Sequence, residues 1–295
     1  MKILSLSPYF YPHIGGVEKH VFRISRELAK EGHEITVLTR KTNNLPQKQN
    51  VDGINVVRFT YPSIKFIGLI SIWKWIYLHR ELIEKADIVH CHDVFIWYFP
   101  FRFFYPFKRV FTTFHGWEGV WPIPTKNIIY KKIAEKLSSG TIAIGKYIEK
   151  YYSIKADKIV YGGVEKVNIK QKNKNSIVWV GRLEKDTGII KFLEWLDKNR
   201  KYKVEFVGDG RYRDLCSSYG VVHGFVDAKS YIQKSEICVP AGYLSYLEAL
   251  ESNCKIITFA NSPLKSDYWN EIKKINSFSS WKQISYEYLN LYNNI

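Results

Sequence analysis

Apolar positions change their period along this chain, and each change marks an element. KILSL (2–6) is a short apolar run, and Val17, Val21, Ile24, Leu28 and Ala29 then recur at helical spacing until Gly32. EITVLT (34–39) is strand-like again. Recurrence at i, i+3, i+4 and i+7 reads as an amphipathic helix and a short apolar run as a buried strand, so the first 40 residues predict a β-α-β unit with its helix at about 16–31. The alternation continues with strands expected at 53–59, 87–91, 109–114 and 141–144, and helices at about 68–84, 126–138 and 145–152.

A polar run rich in Lys and Asn within 160–176 reads as a linker. Strands expected at 176–181, 203–207, 236–239 and 255–259 follow, with helices between them, and SWKQISYEYLNLYNN (280–294) is an amphipathic helix. Strands joined by helical crossovers imply parallel α/β sheets, and 295 residues exceed one ordinary domain. The expected organisation is a Rossmann-like domain over 1–165 and a second over 166–275, facing each other across a cleft with the ligand at the carboxyl ends of the strands. Residues 276–295 form a last segment whose helix is free to pack back on the first domain.

Charge and composition change this picture in three ways. The net charge of +16 attracts polyanions (nucleic acid, anionic headgroups or phosphorylated substrates) without choosing among them. The four cysteines, Cys91, Cys216, Cys238 and Cys254, are far apart, which argues against a disulfide framework or zinc site and suits a reducing cytosol. The chain starts directly on KILSLS, leaving no room for a signal peptide, so a cytoplasmic protein is expected. Aromatics crowd 66–77 and 95–111, stretches too short and too interrupted by Lys or Arg to span a bilayer. They read equally as core or as a monotopic membrane face, with Trp73, Trp75, Trp97, Phe103, Phe104 and Tyr105 at the lipid boundary and Lys74, Arg102, Lys108 and Arg109 on anionic headgroups. Two prolines make FPFRFFYPFKR a poor helix interior and favour an exposed loop.

Candidate chemistry clusters after the strands. Gly15 and Gly16 let a ligand approach the backbone at a helix N-terminus, although an ordinary turn would use them too. The fingerprint GxGxxG is absent, which weakens an oxidoreductase reading. In VGRLEKDTG (180–188), Arg182 leaves a strand end, where a guanidinium grips a diphosphate through forked hydrogen bonds and stabilises a leaving nucleotide. Lys185 follows three residues later in the same stretch. Gly208 and Gly210 in VGDGR, and Gly224 with Phe225 in HGFV, end further strands. His90 and His92 share one face of a strand beside Asp93, as metal ligands of a hydrolase would, yet zinc needs three protein ligands and only His115 could be added.

GGVEKHV, DIVHCH, TTFHG, VGRLEKDTGI, FVGDG and PAGYLSYLEAL occur in the order found in retaining glycosyltransferases of family 4, and the chain resembles that family over roughly 1–262. The resemblance implies the GT-B fold and transfer from a nucleotide-diphosphate sugar, UDP- or GDP-linked, to a lipid-linked or other glycan hydroxyl with retention. It implies no metal or cofactor, no nucleic-acid partner, and leaves open a peripheral position at the inner face of the membrane. By the same resemblance Gly15 and Gly16 lie near the donor diphosphate and acceptor, and His115 contacts the sugar near its reacting carbon. Arg182 and Lys185 bind the diphosphate, Gly208, Gly210, Gly224 and Phe225 frame base and ribose, and Glu248 accepts the ribose hydroxyls. Two departures stand out: Thr187 replaces the usual lysine, and Pro240 stands where a first glutamate contacts the sugar. They keep alive a non-catalytic membrane- or nucleic-acid-binding protein on a degenerate transferase scaffold. A metal-dependent hydrolase using His90, His92 and Asp93 is the lesser rival. No catalytic nucleophile is identifiable, and a front-face mechanism would need none.

Overall fold

A computed structural model describes residues 1–42, 44–116, 119–275 and 279–294. It comprises two compact units, one of residues 1–117, 123–161 and 281–295, the other of 118–122 and 162–280. Residue 276, where the sequence places the start of the last segment, lies outside the described residues.

The first unit runs β1 (Lys2–Leu6), α1 (Gly16–Lys30), β2 (Glu34–Arg40), β3 (Lys48–Val51), β4 (Ile54–Phe59), α2 (Lys65–Leu78), α3 (Glu81–Lys85), β5 (Ile88–His92), α4 (Phe95–Tyr98) and α5 (Phe101–Phe104). It continues with β6 (Arg109–Phe114), α6 (Thr125–Leu137), β7 (Gly140–Ala143), α7 (Lys146–Tyr152) and β8 (Lys158–Ile159). The second unit contains β9 (Asn173–Val180), α8 (Ile189–Asp197), β10 (Lys203–Val207), α9 (Arg213–Ser217), β11 (Val221–Gly224), α10 (Lys229–Lys234), β12 (Ser235–Pro240), α11 (Tyr243–Glu251), β13 (Lys255–Ile256) and α12 (Pro263–Ile272). The chain then returns to the first unit with α13 (Trp281–Asn293).

Both sheets are parallel apart from one hairpin. The first has the order β3-β4-β2-β1-β5-β6-β7-β8, with only β3–β4 antiparallel. The second has the order β11-β10-β9-β12-β13. Strand order reverses beside β1 in one and beside β9 in the other. At such a point the loops leaving neighbouring strands diverge and open a crevice at the carboxyl ends. Those ends carry the Ser7–Gly15 loop, Asp93 and His115 in the first sheet, and the turns at Gly181, Gly208 and Ala241 in the second.

Burial on both faces holds these sheets. Ile177 and Trp179 of β9 enter one core with Phe192, Leu196 and Phe206, while Val178 and Val180 enter another with Val207, Ile232 and Cys238. Each fully buried large side chain contributes about 1.5–3 kcal/mol. That explains why the central strands read as continuous apolar runs rather than as alternation.

Four expectations need correction. The single helix expected at 68–84 is two, because His79 leaves the helical region at φ −119° and ψ 32°. β3 was missed since KQNV is polar and mostly exposed, as an edge strand is free to be. The tail of the expected linker, Asn173–Asn175, is the exposed start of β9. The aromatic stretches divide between the two readings: Trp97, Tyr98 and Phe101 are core, and Trp75 stacks on Phe59 and His79. Phe66, Ile67, Ile70, Phe103, Phe104 and Phe107 remain exposed, Phe107 by 98%.

Candidate functional site

In the first unit β5, the turn after β6 and the start of α1 bring four histidines together. His90 and His92 stack face to face with centroids 4.4 Å apart. His90 Nδ1 lies 2.5 Å from the Tyr292 hydroxyl and its Nε2 2.8 Å from Thr113 Oγ1. His92 Nδ1 lies 3.1 Å from His115 Nε2, and His20 Nε2 2.9 Å from the Tyr288 hydroxyl. The rings of His20 and His115 meet edge to face at 5.0 Å, which brings the first turns of α1, just after Gly15 and Gly16, against His115. Burial drives all four imidazoles towards the neutral form, His115 to about 4 and His90 to about 3, with His20 and His92 well below the ordinary value. At neutral pH they act through hydrogen bonds rather than charge. Among the described residues His115 Nδ1 has no hydrogen-bond partner, and it is the nitrogen available to a ligand.

Asp93 beside them is committed to the scaffold. Its carboxylate accepts from the His115 backbone N–H (3.0 Å) and from Lys131 Nζ (2.7 Å). Partial burial would raise its carboxyl, but the charge of Lys131 and these hydrogen bonds hold it below its ordinary value. With Asp93 on Lys131 and both His90 nitrogens engaged, the trio His90, His92 and Asp93 offers no converging ligand set, and no three of His, Cys, Asp or Glu among the described residues could hold a metal ion. Packing demands neither member of the glycine pair. A Cβ on Gly15, which is extended at φ −168°, would meet only the far end of the flexible Glu18 side chain, which can swing aside, and one on Gly16 would meet nothing within 4 Å.

In the second unit three turns lie side by side. The Gly181 N–H donates to the Val207 carbonyl and the Leu183 N–H to that of Asp209, both at 2.9 Å, while Ala241 N–H donates to Val180 at 2.8 Å. Gly208, at φ +154°, passes so close to the Gly181 carbonyl that any Cβ would overlap it, and it bridges to Gly224. A close backbone approach thus accounts for Gly208. Arg182 is exposed, with Nη2 2.6 Å from Asp186 Oδ2. Lys185 is exposed on the short 3-10 turn Lys185–Thr187. Thr187 is buried, its hydroxyl donating to the carbonyls of Glu184 (2.6 Å) and Arg182 (3.0 Å), so it closes this turn and carries no charge to a ligand. Phe225 is exposed just past β11, and Glu248 is half-buried on α11, whose first turn starts beside Ala241.

Sequence reasoning missed three groups here. Lys131 and Asp186 pair with singled-out residues but carry no local signature of doing so. Lys265 is buried on α12, its Nζ donating to the Ala241 carbonyl at 2.8 Å and lying 4.2 and 4.7 Å from the ring centroids of Tyr268 and Trp269. Its spacing from those aromatics, i+3 and i+4, was the signal available.

Two parallel-sheet α/β units with glycine turns at the strand ends make up the GT-B fold, and the comparisons agree. The fold matches sucrose-phosphate synthase from Thermosynechococcus elongatus with a TM-score of 0.77 at 14% identity, covering 99% of this chain and 98% of that one. It matches Anabaena HepE, in complex with UDP and glucose, with a TM-score of 0.73 at 12% identity over 100% of both chains. Residues 14–161, half of the chain, match the family model described as Glycosyltransferase Family 4. The chain belongs to this glycosyltransferase family. It is 23% identical to an uncharacterized glycosyltransferase of Methanocaldococcus jannaschii, over 93% of this chain and 84% of the relative. It is also 30% identical to one subunit of the phosphatidylinositol N-acetylglucosaminyltransferase of Arabidopsis thaliana, over 32% of this chain and 22% of that protein's length.

Proposed function

We propose that this glycosyltransferase moves a sugar from a nucleotide-diphosphate sugar, UDP- or GDP-linked, to the hydroxyl of a lipid-linked acceptor, with retention and without a metal ion. The observation that carries the donor reading is the pair of adjoining turns at Gly181–Gly188 and Gly208–Gly210, from which the exposed Arg182 guanidinium projects. Arg182 exchanges Asp186 for the diphosphate and offsets the charge that grows as the nucleotide leaves. Lys185 adds a second cation, Glu248 accepts the ribose hydroxyls, and Gly224 and Phe225 border the base. His115, neutral and held by His92, hydrogen-bonds the sugar through Nδ1. The acceptor proton passes to the departing phosphate on the same face.

The lipid reading rests on exposed apolar side chains of α2 and of the α5 region, with Lys74, Arg102 and Lys108 nearby in sequence, and on the relative named for phosphatidylinositol. The contact proposed is peripheral, and no helix among the described residues is long and apolar enough to cross a membrane. The basic residues grouped with that surface from sequence are partly held by the scaffold: Arg109 donates to the Tyr292 carbonyl at 3.0 Å, Arg102 to those of Pro106 and Lys108, and Lys108 Nζ to those of Glu84 and Ala86.

Incubating the purified protein with UDP- and GDP-sugars and vesicles containing phosphatidylinositol or polyprenyl phosphate, with chelator present, tests the proposal. Mass spectrometry should find a glycosylated lipid, and proton NMR of the product an unchanged anomeric configuration. Nucleotide-sugar binding with no turnover on any acceptor would favour the non-catalytic reading, for which Thr187 and Pro240 are the evidence.

A further inference from the structure

We infer that Lys265 is an anion-binding residue of the second unit, placed to take an anionic oxygen of the donor: a diphosphate oxygen or, in an acidic sugar, the carboxylate. The inference rests on the donor reading above and deepens it.

Lys265 occupies the first turn of α12, where its backbone N–H donates to the Ser262 hydroxyl that caps the helix (3.1 Å). The residue is only 6% exposed. An ammonium has three protons to donate. Among the described residues one goes to the Ala241 carbonyl, two aromatic faces flank the group, and no carboxylate forms an ion pair with it. Lysine is almost never fully buried unless paired, because an uncompensated charge in a low-dielectric interior is costly. A methionine would fill the same apolar slot without that cost. The carboxylate whose charge acts on it, Asp186, is hydrogen-bonded to Arg182, so a countercharge in direct contact is the missing component, and a ligand can supply it.

The location says which ligand. Ala241 is the residue after β12 and its Cβ lies where a side chain on Gly181 would stand, so the Lys265 ammonium adjoins the turn that presents Arg182. One exposed and one buried cation therefore flank the Gly181–Ala241 contact. Burial lowers the Lys265 ammonium to about 7, Asp186 raising it and Arg182 lowering it further, which leaves it poised to be fixed in the charged form by an arriving anion. It supplies a charge that Thr187, closed on its own turn, does not.

Titration calorimetry on the full chain tests this with UDP and GDP, using uridine and guanosine as charge-free controls, and with UDP-glucuronate against UDP-glucose. Lys265→Met keeps the apolar packing, and Lys265→Gln keeps a donor for the Ala241 carbonyl. Circular dichroism and melting temperature show which variants are folded. Either folded variant should bind the nucleoside diphosphate at least tenfold more weakly while binding the nucleoside as the wild type does, which assigns the phosphate. Unchanged UDP affinity with lost preference for UDP-glucuronate assigns the carboxylate. Equal binding of every ligand, or equal weakening of nucleoside and nucleotide, overturns the role of Lys265. A wild-type chain that binds none of them overturns this inference and the donor reading together.

Discussion

Acidification from pH 7 to 5 should destabilise this protein strongly, because four histidines must stay neutral for the first unit to remain folded. His20, His90, His92 and His115 are buried together and their imidazoles are all lowered, His115 to about 4 and His90 to about 3. In the unfolded chain each returns to an ordinary value of about 6.5. A depressed folded value means that the unfolded chain binds more protons. Stability is therefore full above about pH 7 and is lost as the pH falls through about 6.5 towards the folded values. At pH 5 each unfolded histidine gains about 2 kcal/mol from protonation, 1.5 pH units at about 1.4 kcal/mol per unit, and folded His90 and His115 gain almost none. These two alone sum to roughly 4 kcal/mol, a large part of a folding free energy of about 5–15 kcal/mol, and His20 and His92 act in the same direction. His33 shifts in the same direction, while His13, raised by its hydrogen bond to Glu18, opposes them as a single half-exposed group. Urea unfolding followed by tryptophan fluorescence at constant ionic strength should show stability falling steadily from pH 7 to 5, with a slope near pH 5.5 equivalent to about two protons or more. A flat profile between pH 8 and 5, or rising stability, would refute the neutral cluster.

Three further outcomes follow from the candidate site. Arg182→Ala should lower turnover by ~100-fold or more with the fold intact, since the side chain is exposed and, among the described residues, its hydrogen bond is to Asp186 on its own turn; unchanged steady-state kinetics would remove it from the reaction. Glu248→Ala should weaken nucleoside-diphosphate binding by about 1.5–3 kcal/mol, the range for a hydrogen bond to a charged group; calorimetry showing wild-type affinity would mean that Glu248 does not hold the ribose. Replacing Phe103, Phe104 and Phe107 with serine should reduce co-sedimentation with anionic vesicles while leaving nucleotide binding unchanged, because these rings are exposed and outside both sheets' cores; wild-type chain that ignores vesicles would make a water-soluble acceptor the better choice.

Local periodicity was enough for most of this architecture. The spacing of Val17, Val21, Ile24 and Leu28 places one apolar stripe on α1, and the structure buries Val21, Ile24 and Leu28. The apolar runs of β1, β5, β6 and β9 announce strands covered on both faces, and the glycines of 181–210 announce turns after them. What periodicity reports is that a face will be buried, and it says nothing of what buries it. KQNV has no apolar face to report, so β3 became visible only through its pairing with β4. SWKQISYEYLNLYNN declared itself amphipathic, but only tertiary structure brought Tyr292 to His90 and Tyr288 to His20, across separations of 202 and 268 residues. The same holds for charge. Arg182, Lys185 and Lys265 are all cations near glycine-rich turns in sequence or space, and what distinguishes them is solvent. The first two keep their hydration, while α12 carries Lys265 under the Ala241 turn, where water is excluded and the cost of an unneutralised charge gives that residue a meaning its sequence context could not.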